Sequence, residues 1–119
     1  MRLLSVALAA VSVSTAGSAC AVAAPAPGMT TSTLTLKDHR FTPASCTAPA
    51  GAKVRIVLIN QDMATEEFDS HDLRVEELVT PKGRVTFTVG PLKAGVYSFM
   101  GEFHAATAQG TVAVVEQGR

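Results

Sequence analysis

The stretch YSFMGEFHAAT, from Tyr97 to Thr107, sets a carboxylate and an imidazole close together, at Glu102 and His104, just where an apolar strand ends. Loops that leave a strand carrying such a pair are favoured places for metal sites. A second concentration of candidate groups lies upstream. Between Asp62 and Glu77 there are seven acids (Asp62, Glu66, Glu67, Asp69, Asp72, Glu76, Glu77) and one base, Arg74. Charge runs are usually solvated faces, but in a folded domain such a cluster also draws in cations. Asp69 reads as a turn cap or a ligand. His71, in phase with Leu73 and Val75, reads equally as a structural histidine or a ligand. Glu76 and Glu77 are weaker candidates. Met63 offers a soft thioether that suits copper, and Met100 reads as a gap filler. His39, in KDHRF, reads as part of a surface turn, and Cys46 as a small buried residue. Ser70, His71 and Asp72 are consecutive. A strand would send them to alternate faces, which excludes a hydrolytic triad.

These groups need a scaffold, and the chain has room for one domain in 119 residues. Residues 1–23 read as a signal peptide: Arg2, an apolar run too short to span a membrane, and Ala21-Val22-Ala23 as the cleavage motif. The expected location is therefore periplasmic or secreted, with no direct membrane span. The alternative is lipid anchoring through Cys20 in GSAC. Either way Cys46 has no disulfide partner. Residues 24–31 are a Pro/Ala/Thr linker, and residues 32–119 form the domain. The formal net charge is zero, which gives no reason to expect nucleic acid.

In the domain, short alternating runs are separated by turn residues: STLTLK, the Pro-broken FTPASCTAPAG, KVRIVLIN, HDLRVEEL, RVTFTV, VYSFMG and QGTVAVVE. The segment QDMATEEFDS reads as loop. About seven short strands at regular turn spacing predict an all-β sandwich.

The order of these parts resembles the cupredoxin-like Greek-key β-sandwich. The resemblance rests on FTPASCTAPAGAKVRIVLIN, on GPLKAGVYSFMGEFH and on QGTVAVV. A blue-copper site takes two imidazoles, a thiolate and a weak axial thioether. Counting from Asn60, the family's first imidazole position falls at Glu66, with Glu67 beside it. Counting from Tyr97, the thiolate position falls at Gly101, the second imidazole at His104 and the axial thioether at Gln109. One blue-copper ligand of four is present. The resemblance therefore implies a site of harder donors, with Glu66 or Glu67, Glu102 and His104 as its ligands. It is similar to the EfeO-type cupredoxin-like domains of bacterial iron uptake, on EEFDSHDL and GEFHAATAQG. That likeness implies an iron or copper ion, ferrous iron above all, a membrane iron permease or other uptake-system protein as partner, and either binding alone or ferroxidase-type activity. Two other readings stand beside it: a copper-binding or chaperone protein using His104, His71 and Met63, and a metal-free interaction module on the same fold.

Overall fold

The computed structural model describes residues 28–117, so the signal segment, Cys20 and the first half of the linker lie outside the described residues. Nine strands follow in order: β1 (Met29–Lys37), β2 (Arg40–Thr42), β3 (Ser45–Pro49), β4 (Lys53–Asn60), β5 (Glu66–Ser70), β6 (Val75–Val79), β7 (Arg84–Val89), β8 (Gly95–Gly101) and β9 (Gln109–Val115). A 3-10 turn, Glu102–His104, leads from β8 towards β9. The strands form two sheets, ordered β2-β1-β4-β7 and β3-β9-β8-β5-β6. The all-β sandwich expected from the alternation is present. Among the described residues no helix is long and apolar enough to cross a membrane.

Alternation builds the core. Val54, Ile56 and Leu58 of β4 all point inward and are 0–1% exposed, as a period of two requires. The two sheets are joined by aromatic contacts. Phe68 of β5 stacks on Phe99 of β8 with ring centroids 4.7 Å apart, and reaches Phe87 of β7 in the other sheet at 4.9 Å. Phe41 of β2 meets Phe99 edge-on at 5.1 Å. Offset and edge-on rings are the favoured geometries and add to simple burial. Cys46 is buried, as its sequence context suggested, and burial pushes its thiol up in pKa, partly offset by a hydrogen bond with Ser32.

The strand count differs from about seven for identifiable reasons. The Pro-broken segment holds both β2 and β3, and β1 begins at Met29, inside the segment read as linker. More consequential is β5, in a stretch expected to be loop. Its inward residues are Glu66, Phe68 and Ser70, all buried, while Glu67 and Asp69 point outward. Polar residues at both ends of the inner face hide the alternation that marks a half-buried strand. Conversely, the first half of HDLRVEEL is a turn, and β6 starts only at Val75.

Ser70 closes that turn. Its hydroxyl donates to the Ser98 carbonyl at 2.6 Å and accepts the Leu73 N–H at 3.0 Å. Ser70→Ala is expected to lower stability by about 1 kcal/mol by orphaning these groups. Denaturant melts would measure this, and metal affinity should stay unchanged, because Ser70 lies at the opposite end of β5 from Glu66.

Candidate metal centre

Three connections meet at one end of the sandwich: the β1–β2 turn, the β4–β5 loop and the 3-10 turn after β8. Glu66, the first residue of β5, sits among them and is 1% exposed. Its orientation follows from Phe68. A strand that buries Phe68 buries Glu66 with it, since the two share a face. Both carboxylate oxygens have hydrogen-bond partners. Oε1 accepts the backbone N–H of Phe103 at 2.9 Å and of Glu67 at 3.1 Å. Oε2 faces Nδ1 of His104 at 2.5 Å. Burying a carboxylate is tolerable only with such partners.

Room for this carboxylate comes from Gly101. A Cβ built there would lie 2.7 Å from Glu66 Cδ, 2.8 Å from the Ala108 Cβ and 3.0 Å from Glu66 Oε1. The glycine is needed for its missing side chain, since its backbone is extended, with φ −89°. A side chain at position 101 and a carboxylate at position 66 compete for one space.

The third member is His39. Its ring lies on that of His104, with centroids 3.6 Å apart and planes within 9°. One ligand atom each from His39, Glu66 and His104 falls within 4.8 Å of the others. His39 was expected to be a surface turn residue, and it does occupy the two-residue turn between β1 and β2. But the turn delivers its ring to the site. Asp38 and His39 have φ of 52° and 57°, as the tightest hairpin loops demand, and Asp and His tolerate this region better than most residues. The sequence signal that could have found His39 is Asp-His between two alternating runs. What it lacks is any local link to Glu66. That link comes from the parallel pairing of β1 with β4, which sets Leu36 against Asn60.

The remaining candidates lie elsewhere. Glu67 and Glu102 are brought together, but outside this cluster, where Glu67 faces outward on β5 and Glu102 is exposed in the 3-10 turn. A hydrogen bond with Glu102, desolvation, and the negative charges of Glu102, Glu76 and Asp69 all hold the Glu67 carboxyl above the usual range. Asp69 faces outward opposite Glu76. His71 is exposed, and with Asp69, Arg74 and Glu76 it lines an open concavity of about 800 Å³. Met63 is 77% exposed in the β4–β5 loop.

Two imidazole nitrogens and a carboxylate oxygen fit a borderline divalent cation such as Fe(II), Zn or Cu(II). With no sulfur among them, they do not suit Cu(I). The donor set is also graded in access: Glu66 is sealed, while the side chains of His104 and His39 are 29% and 42% exposed. An ion would arrive from the imidazole side and take the place of the His104–Glu66 hydrogen bond.

The family model for the cupredoxin-like domain matches residues 3–114. The uncharacterised protein RP394 of Rickettsia prowazekii (strain Madrid E) is 42% identical over 81 residues, which is 68% of this chain. The match spans 65% of that relative's own length, a little under two thirds. Among solved structures, the metal-binding domain of the Cu(I)-exporting P-type ATPase CopA of Streptococcus pneumoniae D39, with Cu(I), superposes with a TM-score of 0.66 at 15% identity. It covers 78% of this chain and 92% of that one. Auracyanin A, a blue copper protein of Chloroflexus aurantiacus, gives 0.63 at 16% identity, over 74% of this chain and all of its own. A purple cupredoxin from Nitrosopumilus maritimus gives 0.54 at 17%, over 70% and 98%. At such identities the likeness is one of fold.

Proposed function

The chain belongs to the cupredoxin-like domain family, and we propose that it is an exported metal-binding member that takes ferrous iron as its cargo at His39, Glu66 and His104. The observation that carries this reading is the sulfur-free cluster itself: a buried, fully partnered carboxylate meeting two imidazoles, with Gly101 where a blue-copper thiolate would stand. Two imidazoles and one carboxylate with open positions are the donor set of non-haem Fe(II) sites. A carboxylate also stabilises Fe(III) over Fe(II), which would assist oxidation by dioxygen. The resemblance to EfeO-type domains supports delivery to a membrane permease in the periplasm, with the outward acids Glu67, Asp69, Glu76 and Glu102 raising the local concentration of cations.

Copper is the second reading. It is favoured by the position of Cu(II) above Fe(II) in the affinity order of divalent metals, and by the copper named for the blue copper protein auracyanin A. The experiment is anaerobic calorimetric titration of the purified chain with Fe(II), and a parallel titration with Cu(II) followed by absorbance. His39→Ala is expected to weaken binding by at least about tenfold, on the scale of losses seen when metal sites are disturbed. Glu67→Ala and Glu102→Ala should leave affinity near wild type. Binding lost in those two variants and kept in His39→Ala would move the site to the outer face of β5. Cu(II) binding without Fe(II) binding would select the copper reading, and silence with both metals would leave a metal-free interaction module.

A further inference from the structure

We propose that Asp62 is the positioning residue of this centre: its carboxylate fixes the Asp38–His39 turn and the His39 ring, so that His39 stands beside Glu66 and His104. This rests on the reading of His39 as a metal-holding residue. The geometry comes from three sides. Oδ1 of Asp62 accepts the backbone N–H of Asp38 at 2.8 Å, and Oδ2 accepts that of His39 at 2.9 Å. Oδ2 also lies 3.5 Å from His39 Nδ1. One carboxylate therefore holds both residues of a turn whose φ values are left-handed, and faces one nitrogen of the imidazole it carries. Nε2 is left as the free donor. A carboxylate on the far nitrogen of a metal-binding imidazole fixes the ring's tautomer and direction.

Asp62 is itself held firmly, which a positioning role requires. Its N–H donates to Asn60 Oδ1 at 2.9 Å, and its carbonyl accepts the Lys82 N–H at 3.0 Å. Asn60 is 1% exposed, and its amide donates to the carbonyls of Ala64 and Thr80 at 2.8 and 3.1 Å. The Lys82 ammonium donates to the neighbouring Gln61 carbonyl. Desolvation opposes the charge on Asp62, but the N–H groups of His39 and Asp38, together with the charges of His39 and Lys82, hold the carboxyl below its usual range. The sequence thus uses the strand-ending Asn60 to shape a loop, the loop to aim a carboxylate, and the carboxylate to aim an imidazole from the β1–β2 turn, more than twenty residues away in the chain.

The test has one arm without metal and one with it, both on the full chain at one fixed pH. In the metal-free protein, stacking should displace the ring-proton resonances of His39 and His104, which single His→Ala variants assign. Asp62→Ala is expected to return both sets towards unstacked values. With Cu(II) as the probe, electron spin-echo modulation should count two imidazoles in the wild type and one in Asp62→Ala, with affinity lower by ~10–100-fold. Asp62→Asn keeps one oxygen acceptor and the side chain's shape, so it should fall between the two, and it carries the same readouts should Asp62→Ala not fold. Unchanged ring resonances in both Asp62 variants would overturn the proposal. So would weakened Cu(II) binding with both imidazoles still counted, since that is what a merely structural role gives. If the wild type bound no metal while Asp62→Ala still unstacked the rings, the positioning role would stand and the proposed function alone would fail.

Discussion

Glu66→Gln is expected to leave the fold nearly intact and to remove metal binding. The amide is close to isosteric with the carboxylate. Its oxygen can accept the Phe103 and Glu67 N–H groups that Oε1 now accepts, and its NH2 can donate to His104 Nδ1 where Oε2 now lies. Exchanging one satisfied set of hydrogen bonds for another changes stability by about 1 kcal/mol. The metal, however, loses its only anionic donor. The position left facing the imidazoles becomes an N–H, which cannot ligate. The loss should exceed the ~10–100-fold that follows from disturbing residues outside the ligand set. Calorimetry with Fe(II) and with Cu(II), beside a denaturant melt of the same preparation, reads both halves. Unchanged affinity in a folded Glu66→Gln protein would remove the buried carboxylate from the site.

Gly101→Ala should damage both stability and binding, because the new methyl would have to share space with Glu66 Cδ and the Ala108 Cβ, at 2.7 and 2.8 Å. Overpacking of this kind costs about 1–3 kcal/mol. For a domain of this size each kcal/mol lowers the melting temperature by roughly 4–8 °C. The easier of the two neighbours to move is the Glu66 carboxylate, at the end of a longer side chain, so the strain should be relieved by pushing Glu66 out of register with His104. A double-mutant cycle separates the parts. If Gly101 serves to admit Glu66, Gly101→Ala costs less in a Glu66→Ala background, with a coupling of about 0.5–3 kcal/mol. The relief is partial, since Ala108 stays in place. Full additivity would show that Gly101 and Glu66 do not share their space. The same argument makes Gly101 and Glu66 one substitution in physical terms, since a thiolate at 101 and a carboxylate at 66 exclude each other.

The fold was legible in large part. Val54, Ile56 and Leu58, Val85, Phe87 and Val89, and the closing GTVAVV run alternate plainly, because one face of each strand is apolar and the other meets water. β5 was not legible. Its inner face runs Glu66, Phe68, Ser70, and a strand whose inward residues are mostly polar has no hydrophobic period to read. That gap also hid the answer to which of two adjacent glutamates turns inward. Once β5 pairs with β8 and β6, Phe68 fixes the register, and a slip of one residue would bury Glu67 in place of Glu66.

The sequence by itself determined the sandwich, the absence of a thiolate at Gly101, and the presence of His104 in the loop after β8. Those are properties of residue type and of local spacing. Tertiary structure alone decided the rest of the centre. It turned Glu66 in and Glu67 out, left Glu102, Asp69, His71 and Met63 outside the cluster, and brought in His39 from a turn that reads as ordinary surface. The reason is the parallel pairing of β1 with β4, which lays the Asp38–His39 turn beside the loop that carries Asp62 and leads to Glu66. A contact made through strands far apart in the chain leaves no period or motif in either segment, so its chemistry becomes visible only when the sheets are assembled.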